Sequence, residues 1–145
     1  PLNSDLLTKP FFVDSGLING QKYTYEIRKV KMVEKRNWEG EGIRVEATPK
    51  DLTPPSIPQG IKAEKRGSSV QLSWLKNTEG DVAGYNVYRI VGRSEQKLTR
   101  TPLREIQFID NNLGENRFLS YYVTSVDFSG NESEPSREII IIVKE

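Results

Sequence analysis

Val70, Leu72 and Trp74 alternate with Gln71 and Ser73. A period of two sends successive side chains to opposite faces, so this run reads as a half-buried strand. Its flanks are hostile to helix. Ahead of it stand Thr53-Pro54-Pro55 and Pro58. Each proline fixes its own φ and presses the preceding residue into extended geometry, which makes the segment a semi-rigid joint between domains. Behind it, Asn77-Thr78-Glu79-Gly80-Asp81 has the composition of a turn. Tyr85 and Val87 then share one face, with Asn86 and Tyr88 on the other. Two such strands across a short polar loop are expected to be neighbours in an antiparallel or sandwich arrangement.

Three local patterns occur here in order: TPPxxP from Thr53 to Pro58, V-x-L-x-W ending at Trp74, and DVAGYNVYR from Asp81 to Arg89. In this order and spacing the stretch resembles the front half of a fibronectin type III domain of the bacterial kind. The resemblance implies an all-β, immunoglobulin-like β-sandwich with Trp74 in the core and Asp81–Arg89 as the third strand. Further along, Asp127-Phe128-Ser129-Gly130-Asn131-Glu132-Ser133 is similar to the VDxxGNES loop of bacterial repeats of this family.

An internal repeat supports a tandem arrangement. At an offset of 96 residues Asp14 falls on Asp110, Leu7 on Leu103, Phe12 on Phe108, Leu17 on Leu113, Tyr25 on Tyr121 and Ile43 on Ile139. Ile27 with Val123, Val45 with Ile141 and Ala47 with Val143 are conservative matches, and no gap is needed. Residues 1–50 therefore read as the back half of one repeat, strands E, F and G, and residues 51–145 as a complete second repeat. In the first piece Phe11-Phe12-Val13-Asp14 is expected to be a short strand, followed by Tyr23, Tyr25 and Ile27 alternating inward. Leu17 to Tyr23 reads L-x-x-G-x-x-Y. This is similar to the family's tyrosine corner, with Gly20 suited to left-handed backbone. In the second repeat Asn116 stands where the glycine should be and Leu119 where the tyrosine should be. Asn116 is expected to take the left-handed position, and the corner bond is lost.

Composition excludes most chemistry. The 145 residues hold no histidine and no cysteine. Ser–His–Asp catalysis, thiol nucleophiles, disulfides and the usual zinc ligands are thus ruled out within this chain. With 21 basic and 20 acidic residues the formal net charge is +1. No field of one sign exists to attract nucleic acid, and no apolar run is long enough to span a bilayer. Asp110-Asn111-Asn112 and the Asp127, Glu132, Glu134 set lack the spacing of a calcium loop, so turn chemistry is expected there. No metal, cofactor or catalytic residue is expected, and the chain reads as a non-enzyme. Asn131-Glu132-Ser133 fits the N-x-S glycan acceptor pattern.

Two surfaces stand out. Lys35, Arg36 and Trp38 fall in a charged stretch between the last two strands of the first repeat, where the family carries a recognition loop. A tryptophan flanked by cations has the composition of an interface anchor, while folding of the ring onto its own sheet is the plainer alternative. In the last strand Ile139, Ile141 and Val143 should face the core. That leaves Ile140 and Ile142 outward on an edge, either as a tolerated sticky surface or as a contact with another domain or subunit. A half sandwich would also expose Phe12, Tyr25, Ile27, Ile43 and Val45. Truncation, a separate upstream piece, or a homodimer through the incomplete first repeat would each account for it. The resemblance implies an extracytoplasmic structural or protein-binding module, part of a bacterial surface lipoprotein. Its alternatives are an accessory spacer of a secreted polysaccharide-degrading enzyme and an adhesin or receptor fragment binding through Trp38.

Overall fold

The computed structural model describes residues 1–144. They divide into two compact units, Pro1–Asp51 and Leu52–Glu145. Each unit is built from antiparallel strands.

The first unit carries a single hairpin, β1 (Tyr23–Val33) with β2 (Arg36–Ala47). Tyr23, Tyr25 and Ile27 pair with Ala47, Val45 and Ile43, so the apolar residues of both strands fall on one face. The strands run on to a two-residue turn at Glu34 and Lys35, with φ of 48° and 63°. Both values are left-handed, the geometry whose twist matches the flanking strands of a tight hairpin. The stretch expected to be a loop around Trp38 is therefore strand. Phe11-Phe12-Val13-Asp14 forms no strand. The corner does form: the Ile18 backbone N–H donates to the Tyr23 hydroxyl at 3.0 Å, and Gly20 sits at φ 80°.

The second unit is a sandwich. One sheet holds β3 (Lys62–Arg66), β4 (Ser69–Ser73) and β7 (Gln107–Asp110), in the order β3-β4-β7. The other holds β5 (Val82–Val91), β6 (Ser94–Lys97), β8 (Phe118–Asp127) and β9 (Ile139–Ile142), in the order β6-β5-β8-β9. The strands around Val70–Leu72 and Tyr85–Val87 thus lie in opposite sheets and face one another across the core. Ile61, Val70, Leu72, Trp74, Tyr85, Val87, Leu119, Tyr121, Val123 and Val143 fill that core. Each large side chain taken out of water there contributes about 1.5–3 kcal/mol. The Trp74 and Tyr85 rings meet edge to face at 5.4 Å.

Local chemistry explains the irregular places. A Cβ on Gly84 would sit 2.5 Å from the Leu103 carbonyl oxygen. Only glycine lets the β5 bulge approach the Leu103 backbone, where Tyr85 and Leu103 exchange two hydrogen bonds of 2.8 Å. The proline segment is strapped to the sandwich instead of hanging as a free joint. Pro58 is fully buried, the Ser56 N–H donates to Glu79 at 2.7 Å, and the Ser56 carbonyl accepts from Asn77 at 2.6 Å and Ser125 at 2.7 Å. Asn116 is not left-handed. Gly114 takes that role at φ 61°, and the Asn116 amide instead donates to the Leu113 carbonyl at 3.1 Å.

Candidate interaction surfaces

Three surfaces and one buried network hold the candidate residues. On the hairpin, Lys35 occupies the turn, Arg36 opens β2 opposite Val33, and Trp38 pairs across the strands with Lys31. The Trp38 ring is 63% exposed, so within this chain it is not folded away. Alternation along β1 puts Lys31, and hence Trp38, on the same face as Tyr25 and Ile27. Lys35 and Arg36 are exposed beside it.

At the sheet edge, Ile140 is 67% and Ile142 55% exposed. Ile142 pairs with Phe118 of β8 and Ile140 with Ser120. Phe118 is also exposed, and the Arg117 guanidinium lies 5.4 Å from its ring centre. Sequence reading finds the two isoleucines by their broken alternation but misses Phe118, because Phe118 joins them only through the register between β8 and β9.

The outer face of the same sheet carries a second aromatic group. Tyr88 and Tyr122 stack at 4.7 Å with planes 10° apart, and the Lys97 ammonium lies 5.8 Å from the Tyr88 ring centre. One oxygen of Glu132 accepts from Asn86 at 2.9 Å, from the Tyr88 hydroxyl at 2.8 Å, and from Thr124. Burial pushes the Glu132 carboxyl up, but the bonds from Thr124, Asn86 and Tyr88 outweigh it and hold the group below its ordinary value. Burial, with the Glu132 carboxylate behind it, pushes the Tyr88 phenol up to about 12. Every member of this cluster is partnered, so it acts as a brace for the sheet face. It offers no free acid or base.

The buried network links the two sheets. Arg89 of β5 donates to Asp110 of β7 at 2.7 Å and to Gln96 at 2.8 Å, and also bonds the Asn112 carbonyl. The Tyr121 hydroxyl of β8 donates to the same Asp110 oxygen at 2.8 Å. Burial first, and the Asp110 carboxylate second, raise the Tyr121 phenol. The candidate ligands of the sequence are thus employed structurally: Asp110 by Arg89 and Tyr121, Glu132 by the outer-face cluster. Asp127 is buried, and its carboxylate accepts from the Asn131 backbone at 2.8 Å and side chain at 2.7 Å. Its carboxylate and that of Asp81 come within 4.8 Å of one another. The Asn131 side chain, the acceptor of the N-x-S pattern, is tied into this turn.

The pieces that decide the fold are now together: two antiparallel sheets ordered β3-β4-β7 and β6-β5-β8-β9, a buried tryptophan between them, and a tyrosine corner in the preceding unit. The chain carries the fibronectin type III fold. Solved structures agree. A fibronectin type III-like protein from Clostridium thermocellum shares 24% identity over 61% of this chain and 92% of its own, with a TM-score of 0.50. The FN1–FN3 domains of chicken CNTN1 share 19% over 91% of this chain and 46% of their own, with a TM-score of 0.60. No family profile matches the sequence. Among curated proteins, Exoglucanase B of Cellulomonas fimi is 29% identical over 143 residues, which is 94% of this chain and 13% of that protein. An amylopullulanase of Thermoanaerobacter thermohydrosulfuricus is 30% identical over 124 residues, 84% of this chain and 8% of that protein. The fibronectin type III chain therefore spans only a small part of the relatives it matches. Among the described residues no helix is long and apolar enough to cross a membrane.

Proposed function

We propose that this chain is a non-catalytic accessory segment of a longer, exported polysaccharide-degrading protein, spacing its neighbours and presenting surfaces to them. The observation that carries the reading is the match to Exoglucanase B. It runs through nearly the whole of this chain, across both units, yet occupies 13% of that protein. Two amylopullulanases of different Thermoanaerobacterium species match as well, each over 62% of this chain. Of the placements weighed on sequence, these relatives favour the enzyme accessory over the surface lipoprotein. The surfaces agree with a spacer: the outer-face carboxylate is saturated by hydrogen bonds, and neither histidine nor cysteine is available as a nucleophile or base.

The test is to assay the purified chain on cellulose, starch and their soluble oligosaccharides. The spacer reading expects no release of sugar and no retention on the insoluble polymer. Hydrolysis would end the non-catalytic reading, and retention would turn the chain into a carbohydrate-binding module. Partner recognition through Trp38 is a second reading, favoured by the exposure of its ring. It requires that Trp38→Ala leave the denaturation midpoint unchanged. A fall in the midpoint would make the ring structural.

A further inference from the structure

The two units make the same hydrogen bond. In the first, the Tyr25 hydroxyl donates to Asp14 Oδ2 at 3.0 Å. In the second, 96 residues on, the Tyr121 hydroxyl donates to Asp110 Oδ2 at 2.8 Å. Even the other oxygen is used alike. Asp14 Oδ1 accepts from the Ser15 N–H and Asp110 Oδ1 from the Asn112 N–H, both at 3.0 Å. What differs is the third party. Asp110 also holds the Arg89 guanidinium, delivered by β5. Among the described residues no cation pairs with Asp14.

The apolar positions tell the same story. Tyr121 and Val123 are fully buried, and Leu103, Phe108 and Ile139 pack against the core. Of their counterparts Tyr25 is half-buried, and Ile27, Leu7, Phe12 and Ile43 are exposed. The face that unit two covers with β3 and β4, and flanks with β5 alongside β8, is thus present, in register, and largely bare in unit one.

Resting on the reading of the chain as part of a longer protein, we infer that the open face of Pro1–Asp51 seats strands of the kind β3, β4 and β5 form here, supplied by polypeptide ahead of Pro1, and that the strand placed like β5 delivers an arginine to Asp14. In the second unit the arginine stands 21 residues ahead of its aspartate. The same spacing from Asp14 falls beyond Pro1. A second copy of this chain is the weaker occupant. Its one such set of strands is engaged in its own core, and lending it would mean opening a folded sandwich. Two bare hairpins pressed together would cover apolar surface but would place no strand beside β1 as β5, which carries Arg89, lies beside β8.

The register supplies the probe. A duplicate of Leu52–Gln96 fused directly ahead of Pro1 reproduces the join of Gln96 to Lys97. Hydrogen exchange of the Tyr23–Ala47 amides is compared in the fused and the original chain, with the β5 and β8 amides of the second unit as internal control. The fused chain is expected to be monomeric by light scattering and to exchange at least about 100-fold more slowly across Tyr23–Ala47. Arg89→Gln in the added copy alone, or Asp14→Asn, should each remove about 10-fold or more of that protection, and the pair together little more than either. Unchanged exchange in the fused chain overturns the inference. So does an original chain that is already dimeric and protected, which would make a second copy the occupant. Protection that ignores Arg89→Gln overturns the arginine.

Discussion

Asp14 with Tyr25 and Asp110 with Tyr121 are one interaction in two settings. Around Asp110 the carboxylate is enclosed, paired with Arg89, and stitched between two sheets. Around Asp14 the bond is intact but only half-buried, and Ile27 and Ile43 stand exposed. The contrast separates two contributions that are usually entangled. Local chemistry, meaning the corner glycine, the tyrosine bonds and the tight hairpin turn, suffices to set the shape of the first unit. It does not suffice to bury anything. An isolated two-stranded hairpin is marginal in water, and stability enters only when a second layer removes the apolar face from solvent.

Several substitutions would break this contrast if it is wrong. Trp74→Ala empties the centre of the sandwich and should cost about 3–5 kcal/mol by chemical denaturation. An unchanged midpoint would remove Trp74 from the core. Asp110→Ala strands a buried guanidinium and should cost roughly 3 kcal/mol, whereas Asp14→Ala should leave the same transition within about 0.5 kcal/mol. Equal losses would mean that Asp14 is already enclosed. Gly84→Ala drives a Cβ to 2.5 Å from the Leu103 carbonyl and 2.9 Å from Pro102, against backbone that cannot yield, for about 1–3 kcal/mol. Gly42→Ala meets the Glu26 side chain, which must swing away from Arg28 and Arg44, and should cost about 1 kcal/mol or less.

The smallest effects concern charge and surface. The Glu79 carboxyl, accepting from the Ser56 N–H and hydroxyl, is held at about 2 against an ordinary 4.5. A depressed folded-state value contributes stability that is present above the unfolded pKa and lost as pH falls from about 4.5 toward 2. With Glu79 only partly covered, solvent screening trims this to about 1 kcal/mol. Denaturation midpoints at pH 7 and pH 2.5, compared with those of Glu79→Gln, read it as a pH-dependent difference that the variant abolishes. Trp38→Ala should move the transition of the second unit by less than about 0.5 kcal/mol.

Much of the second unit was legible because period-two alternation, prolines and turn residues all pointed to the same sandwich. Val70, Leu72 and Trp74 announce an inward face, and the broken alternation of Ile139–Ile142 announces an apolar edge. What was not legible depended on partners far along the chain. The proline segment read as a free joint because the strap from Ser56 to Glu79, Asn77 and Ser125 is invisible in local composition. Arg89 read as the end of a strand, and nothing in its neighbourhood foretold Asp110. Trp38 was expected on a loop because Glu34-Lys35 lacks the glycine or asparagine that usually marks a left-handed turn, so the hairpin was seen as two strands and a charged insert. Phe12 and Val13 promised a strand by pattern, but no second layer of the sandwich is there to pair with them.

The most direct measurement is amide hydrogen exchange of the unmodified chain. The account predicts that the central amides of Val82–Val91 and Phe118–Asp127 exchange only on global unfolding, and that those of Tyr23–Ala47 exchange roughly 1,000-fold faster or more. Equal protection in the two regions, with the chain monomeric, would show that the first unit has a closed core of its own and would contradict the account.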